Sequence, residues 1–226
     1  MASSQTDPPI DTSPTRRNWV WIGFQHVLRL FFAVWLQYRA RGNEQLTAHR
    51  GMLFVINHQS FLDPLLVGLP LRRPVSFLAR DSLFRVPLVG WILRHTCVLP
   101  INRQSASASS IRQLLARLHS GCWVGIFPEG TRSCDGRLAE LKPGILALLR
   151  RADVPVCPVG IAGAQAAFGR GKRLLHRASV RVVFGTPLMS ADVHRELGRG
   201  EEVVLKLIRE RIERCRTEAV QWQESR

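Results

Sequence analysis

Residues 52–63 read MLFVINHQSFLD. Met52 to Asn57 is an apolar run of strand length, and Asp63-Pro64 has the form of a helix cap followed by proline at the first helical position. The stretch therefore reads as strand, turn, helix. His58 follows the strand directly and sits at its carboxyl end, where open α/β sheets usually bind their ligands. The turn to Asp63 is short enough to fold the carboxylate back onto the imidazole. A histidine oriented in this way is a general base, because the carboxylate fixes the tautomer and stabilises the imidazolium. The competing reading makes His58 a loop residue and Asp63 only a helix cap.

The same alternation continues downstream. Strands are expected at Val75 to Ala79, Cys97 to Asn102, Cys122 to Phe127, Val154 to Ile161 and Val180 to Gly185. Between them, Asp81 to His95 reads as a helix that Pro87 kinks or breaks. Ser105 to His119 and Ile145 to Arg151 read as two more helices. Val204, Ile208, Ile212, Cys215, Ala219 and Trp222 form a stripe at helical spacing in the last one. The pattern predicts a single layered α/β domain with a mostly parallel sheet flanked by helices.

A second polar cluster, Phe127-Pro128-Glu129-Gly130-Thr131-Arg132-Ser133, also follows an apolar strand. Gly130 lets the backbone turn tightly and present N–H groups. Arg132 offers a planar fork that matches phosphate, and Glu129 is placed to hydrogen-bond a hydroxyl. An ordinary glycine turn with exposed charges would look the same. Arg103 follows the Cys97 to Asn102 strand, and Lys142 precedes Pro143-Gly144. With three strands ending at one edge, a base, a carboxylate and two or three cations converge on one anionic substrate.

Other chemistries find no support. There is no G-x-S-x-G elbow, no G-x-G-x-x-G, and Gly171-Lys172 lacks the rest of a phosphate-binding P-loop. No histidine pair has metal-ligand spacing. Five cysteines with no C-x-x-C spacing argue against a disulfide framework and for a reducing compartment. The 226 residues, 46% of them hydrophobic, suffice for one full core. The net charge is +15, and all but Lys142, Lys172 and Lys206 of the 32 basic residues are arginine. Two partners suit such a surface, nucleic acid and anionic lipid.

Residues 1–15 are Ser, Thr, Pro, Gln and Asp with little apolar content and read as a disordered tail, not a signal peptide. Residues 16–41 contain the most apolar stretch of the chain. Its polar members Asn18, Gln25, His26, Arg29 and Gln37 fall within an arc of about 120°. Trp19, Trp21 and Trp35 suit a headgroup boundary, and Arg16, Arg17, Arg39 and Arg41 flank the ends. This describes an amphipathic helix lying in a membrane interface better than a single span or a buried core helix. Residues 42–226 form the α/β domain.

The pair NHQSFLD (57–63) and FPEGTRS (127–133) resembles the signature of the glycerolipid acyltransferase family that includes 1-acylglycerol-3-phosphate acyltransferase. Ile101-Asn102-Arg103 is similar to that family's middle block, and Val154-Pro155-Val156-Cys157-Pro158-Val159 to its late block. Four blocks in order over most of the chain make the resemblance specific. In the middle block the family often has glycine where Cys97 stands, an acidic residue where Asn102 stands and a bulky apolar residue where Pro100 stands.

The resemblance implies that His58 is the general base and Asp63 its orienting carboxylate. Arg103 and Arg132 would hold the acceptor's phosphate, and Glu129, Gly130 and Thr131, with Lys142 nearby, would shape the acceptor site. The reaction implied moves a fatty acyl chain from acyl-CoA or acyl-carrier protein, as co-substrate and without a cofactor, to the hydroxyl of a lysophospholipid. The first acceptor is 1-acylglycerol 3-phosphate, giving phosphatidic acid; lyso-ornithine lipid and glycerol 3-phosphate are the alternatives. The protein is then expected at the cytoplasmic face of a membrane with anionic lipids, with no nucleic acid partner. A non-catalytic basic module that binds anionic lipid or nucleic acid is the reading from another class.

Overall fold

The computed structural model describes residues 19–46, 51–95, 97–101 and 108–225. The expected tail at 1–15, the flanking Arg16, Arg17 and Asn18, and the candidate cation Arg103 lie outside the described residues, as do the side chains of Trp19 and Trp21.

In chain order the elements are α1 (Trp19–Trp35), β1 (Arg39–Arg41), β2 (Met52–Ile56), α2 (Asp63–Gly68), β3 (Val75–Ser76), β4 (Leu78–Arg80), α3 (Asp81–Phe84), α4 (Pro87–His95) and β5 (Leu99–Ile101). They continue as α5 (Ala108–His119), β6 (Trp123–Ile126), α6 (Ile145–Arg151), β7 (Val156–Ala162), α7 (Ala164–Phe168), β8 (Arg181–Phe184), α8 (Ser190–Arg199) and α9 (Glu201–Glu224). The main sheet runs β1-β8-β7-β2-β6-β3, and β4 and β5 pair in a small second sheet. Every pairing is parallel except β7 with β8.

The apolar run at 52–56 occupies the centre of the sheet, hydrogen-bonded to β6 on one side and β7 on the other. Successive side chains of a strand face opposite ways, so an unbroken apolar run suits a strand covered on both faces. Met52, Phe54 and Ile56 enter one core with Phe32, Leu36, Leu66, Trp123, Val159 and Phe184. Leu53 and Val55 enter the other with Leu118, Val124, Leu149, Val204, Ile208 and Ile212. The stripe anticipated on α9 is buried from Val204 to Ala219. It lies so close to β7 that a Cβ on Gly160 would stand 2.2 Å from the Arg216 nitrogen.

Several boundaries differ from the sequence reading. The strand expected at 75–79 is two strands in two sheets: β3 pairs with β6, and β4 with β5. Between them Phe77 is buried and fills the space over Gly125, where a Cβ would lie 2.2 Å from its ring. The strand ahead of Arg103 therefore belongs to the small sheet and not to the edge shared by β2 and β6. The helix at 81–95 breaks into α3 and α4, with Pro87 opening the second, where its missing N–H costs nothing. The amphipathic segment drawn to residue 41 ends as helix at Trp35, and Arg39 to Arg41 form the edge strand beside β8. Helices α7 and α8 were not anticipated.

Helix α1 is amphipathic with its polar side turned inward. Gln25 is buried and donates to the carbonyls of Leu69 and Leu71 at 2.7 and 2.9 Å, and Arg29 donates to Leu69 O. Those carbonyls belong to the chain leaving α2, where backbone acceptors need partners. The opposite face leaves Val27, Leu30, Phe31, Val34 and Trp35 exposed. Among the described residues no helix is long and apolar enough to cross a membrane.

Candidate active site

Because β2 and β6 run parallel, the loops that follow them emerge at the same sheet edge. NHQSFLD leaves β2 and FPEGTRS leaves β6, which brings His58, Asp63, Glu129 and Arg132 together. Past the end of β2 the Asn57 side chain takes the place of a strand neighbour: its Nδ2 donates to Ile161 O at 3.0 Å and its Oδ1 accepts from Ile161 N at 2.7 Å.

His58 Nδ1 lies 2.8 Å from Asp63 Oδ2. The same oxygen accepts the amides of Gln59 and Ser60 at 2.6 and 2.7 Å, so the turn wraps around the carboxylate. Asp63 opens α2, but its side chain makes no cap bond into the helix; it points back to the loop. Full burial raises the Asp63 carboxyl above its ordinary value, and His58 with the Ser60 and Gln59 amides pulls it down. Two backbone amides, which can only donate, already occupy Oδ2 beside the imidazole and favour the ionised carboxylate. This assigns an ionised Asp63, a proton on His58 Nδ1 and a free basic Nε2. The imidazole stacks on Phe127 with ring centroids 4.0 Å apart, and Phe127 stacks in turn near Phe77 at 5.8 Å. The ring is thus held by an acid on one side and an aromatic face on the other.

Glu129 is 1% exposed and gives both oxygens to backbone amides, Oε1 to His58 N at 2.6 Å and Oε2 to Ala139 N at 2.8 Å. Burial raises its carboxyl above the ordinary value, while the Ala139 and His58 amides lower it. A substrate hydroxyl would have to compete with these amides, so Glu129 acts here as a brace between the two loops. Ser133 N adds a second tie, donating to His58 O at 2.8 Å.

Gly130 turns the loop with φ +71°, in the left-handed region that favours glycine, and its amide donates to Phe127 O. That amide is engaged by the turn. Thr131 is exposed beside it. Lys142 N donates to Pro128 O at 2.7 Å, and its stem lies over Gly130, with Cγ 3.4 Å from where a Cβ would be.

Arg132 spreads its guanidinium over the ring of Phe61, 3.7 Å from the centroid. Its Nη1 is buried without a hydrogen-bond partner. Burial lowers its pKa, the Asp63 charge raises it, and the nearby charges of Arg170 and Arg80 lower it again. Arg80 ends β4 opposite Ile101, and Arg170 follows α7, with Nη1 3.6 Å from Cys134 Sγ. Among the described residues none of these three arginines forms an ion pair. The sequence reading singled out Arg132 alone of them. Arg80 and Arg170 were missed because each is one arginine among many, and only the fold places them by Arg132. Phe61, which is half exposed, was missed for the same reason.

A base with a free nitrogen, an orienting carboxylate and unpaired cations together suit deprotonation of a hydroxyl on an anionic substrate. The family model described as Acyltransferase matches residues 37–162, more than half of the chain. The chain belongs to this acyltransferase family. It is 32% identical over 139 residues to a chloroplastic 1-acyl-sn-glycerol-3-phosphate acyltransferase of Brassica napus, a match that covers 60% of this chain and 40% of that protein. It is 32% identical over 222 residues to the lyso-ornithine lipid O-acyltransferase of Pseudomonas aeruginosa, covering 88% of this chain and 81% of that one. The crystal structure of the 1-acyl-sn-glycerophosphate acyltransferase PlsC from Thermotoga maritima superposes with a TM-score of 0.69 at 24% identity, covering 86% of this chain and 79% of that one. That likeness extends to the fold: the mostly parallel sheet flanked by helices is common to both.

Proposed function

We propose that the protein moves a fatty acyl chain from a thioester donor, acyl-CoA or acyl-carrier protein, to the hydroxyl of a lysophospholipid, with 1-acylglycerol 3-phosphate as the acceptor and phosphatidic acid as the product. The observation that supports it most is the His58–Asp63 pair at 2.8 Å beside the unpaired guanidinium of Arg132. His58 Nε2 takes the proton of the acceptor hydroxyl, and the resulting alkoxide attacks the thioester carbonyl. The substrate alcohol plays the part that serine plays in a triad, so no protein nucleophile is needed. When the tetrahedral adduct collapses, the C–S bond breaks and protonated His58 returns the proton to the leaving thiolate. Asp63 stabilises the imidazolium in between. Arg132, held over Phe61, takes the acceptor's phosphate, with Arg103 expected to join it. Donor and acceptor both arrive as substrates, and this chemistry calls on no cofactor.

We place the enzyme at the cytoplasmic face of an anionic membrane, docked through the exposed apolar face of α1. The identity profile supports a second acceptor, since the lyso-ornithine lipid enzyme matches over more of this chain than the Brassica enzyme does. An acceptor without phosphate would leave Arg132 without its partner.

The test is thiol release from acyl-CoA, and in parallel from acyl-carrier protein, by the detergent-solubilised protein and its His58→Ala variant, with lysophosphatidic acid, with lyso-ornithine lipid and with neither. Release that depends on lysophosphatidic acid and on His58 is expected. Release with lyso-ornithine lipid alone would move the acceptor, and acceptor-independent or absent release with both donors would overturn acyl transfer.

A further inference from the structure

Between Asp153 and Asp192 the sequence contains no acidic residue. Within that stretch the loop 169–177, GRGKRLLHR, concentrates Arg170, Lys172, Arg173, His176 and Arg177 around Leu174. All five of these basic side chains are exposed, and Leu174 is 73% exposed, more than any other large apolar residue in the described chain. No ion pair among the described residues involves Arg170, Lys172, Arg173 or Arg177. An isolated apolar tip inside an uncompensated basic loop has no role in the fold. The loop itself is well formed: His176 N closes it on Ala167 O at 2.9 Å, and Lys172 Nζ donates to Ala166 O at 2.5 Å.

Its position narrows the partner. Leu175 packs against the core cluster that contains Phe32 and Leu36, and Val180 N donates to Leu36 O at 2.9 Å, so the loop returns beside the end of α1. At its other end, Phe168 O accepts Ser60 Oγ at 2.7 Å, the Phe168 ring sits 6.0 Å from that of Phe61, and Arg170 touches Cys134. The loop thus runs from beside the C-terminal end of α1 to the rim of the candidate active site.

We propose that loop 169–177 is a second membrane-contacting element, which inserts Leu174 at the acyl–headgroup boundary and pairs Arg173, Arg177 and their neighbours with lipid phosphates. Basic residues attract an anionic leaflet, and an apolar side chain among them gains by entering it. Two separated contacts, α1 and this loop, fix the orientation of the protein on the surface, which one helix alone leaves free to roll. The rim carrying Phe61 and Arg132 then faces the bilayer from which a lysophospholipid comes. This inference rests on the reading of α1 as a docking helix.

The experiment is co-sedimentation of the full chain with phosphatidylcholine vesicles, with and without phosphatidylglycerol. The variants are Arg173→Glu/Arg177→Glu, Leu174→Asp and, on α1, Leu30→Asp. Thermal denaturation checks that each folds. The charge reversal is expected to weaken partition to the phosphatidylglycerol vesicles by about tenfold or more, with little effect on neutral vesicles. Leu174→Asp weakens both. If the parent chain and the loop variants bind phosphatidylglycerol vesicles equally while Leu30→Asp does not, the loop proposal fails and the α1 reading stands. If the parent chain binds neither vesicle, both fail. Unchanged vesicle binding with a loss of transfer from acyl-carrier protein, and none from acyl-CoA, would make the loop a site for an acidic protein and overturn the lipid assignment.

Discussion

The backbone amide of His58 donates to the carboxylate of Glu129 at 2.6 Å. The histidine of one loop is therefore held in place by the acid of the next, across a gap of 71 residues in the chain. The two signatures are one structural unit, and the position of the imidazole depends on both.

Glu129→Ala removes the acceptor for two amides, His58 N and Ala139 N. A part-buried amide left without a partner costs about 1–3 kcal/mol, so the melting temperature is expected to fall by several degrees and turnover to fall with it. Glu129→Gln separates charge from hydrogen bonding. Burial raises the Glu129 carboxyl in the folded chain. An acid weaker in the folded state than in the unfolded one stabilises the fold below its unfolded pKa, and that contribution is lost as pH rises through the raised folded value. The melting temperature of Glu129→Gln relative to the parent should therefore climb as pH goes from acid to neutral. A flat or descending difference would mean that the two amides outweigh burial.

His58→Ala should abolish most turnover. General base catalysis is worth about 10²–10⁴-fold, and a loss of that size is expected in kcat. Asp63→Asn should reduce kcat while sparing acceptor affinity, because an amide oxygen can still accept the loop amides but no longer stabilises an imidazolium. Steady-state kinetics with lysophosphatidic acid decide this; a His58→Ala enzyme with unchanged kcat would remove the base from the mechanism.

How legible this was in the sequence varied with the physics involved. The unbroken apolar run at 52–56 reported a strand covered on both faces, and the stripe from Val204 to Ala219 reported the face of α9 that covers it. Both are periodic signals of burial. The His58 and Glu129 loops were legible because each follows such a strand directly. The split at Phe77 was not, since it depends on a ring filling the space over Gly125 in another strand. Charged Arg39 to Arg41 gave no strand pattern; their partner is β8, far along the chain. Arg80, Arg170 and Phe61 became site residues only through tertiary proximity to Arg132.

Arg132 sits over Phe61 at 3.7 Å with a buried Nη1 that has no partner. Arg132→Ala should raise the KM for lysophosphatidic acid by about tenfold or more, the value of one charge-assisted pair, with a smaller effect on kcat. Arg132→Lys keeps the charge but loses the planar fork, and should recover only part of the affinity. Phe61→Leu leaves the cation in place but removes the aromatic face, worth about 0.5–2 kcal/mol, so its KM should rise less than that of Arg132→Ala. An unchanged KM in Arg132→Ala would remove its role in holding the acceptor.

The two faces of α1 make opposite predictions, and together they test whether the helix is a docking element or merely part of the core. Gln25 is buried and satisfies the carbonyls of Leu69 and Leu71. Gln25→Leu strands the Leu71 carbonyl, while Leu69 O keeps Arg29, and should cost about 1–3 kcal/mol, visible as a lower melting temperature in detergent, with vesicle binding intact below that temperature. Phe31 and Leu30 are exposed on the other face. Leu30→Asp or Phe31→Asp should leave the melting temperature unchanged in detergent, because neither side chain supports the fold, and should sharply reduce co-sedimentation with vesicles. A helix belonging to the core would show the reverse for Leu30 and Phe31: loss of thermal stability with vesicle binding untouched.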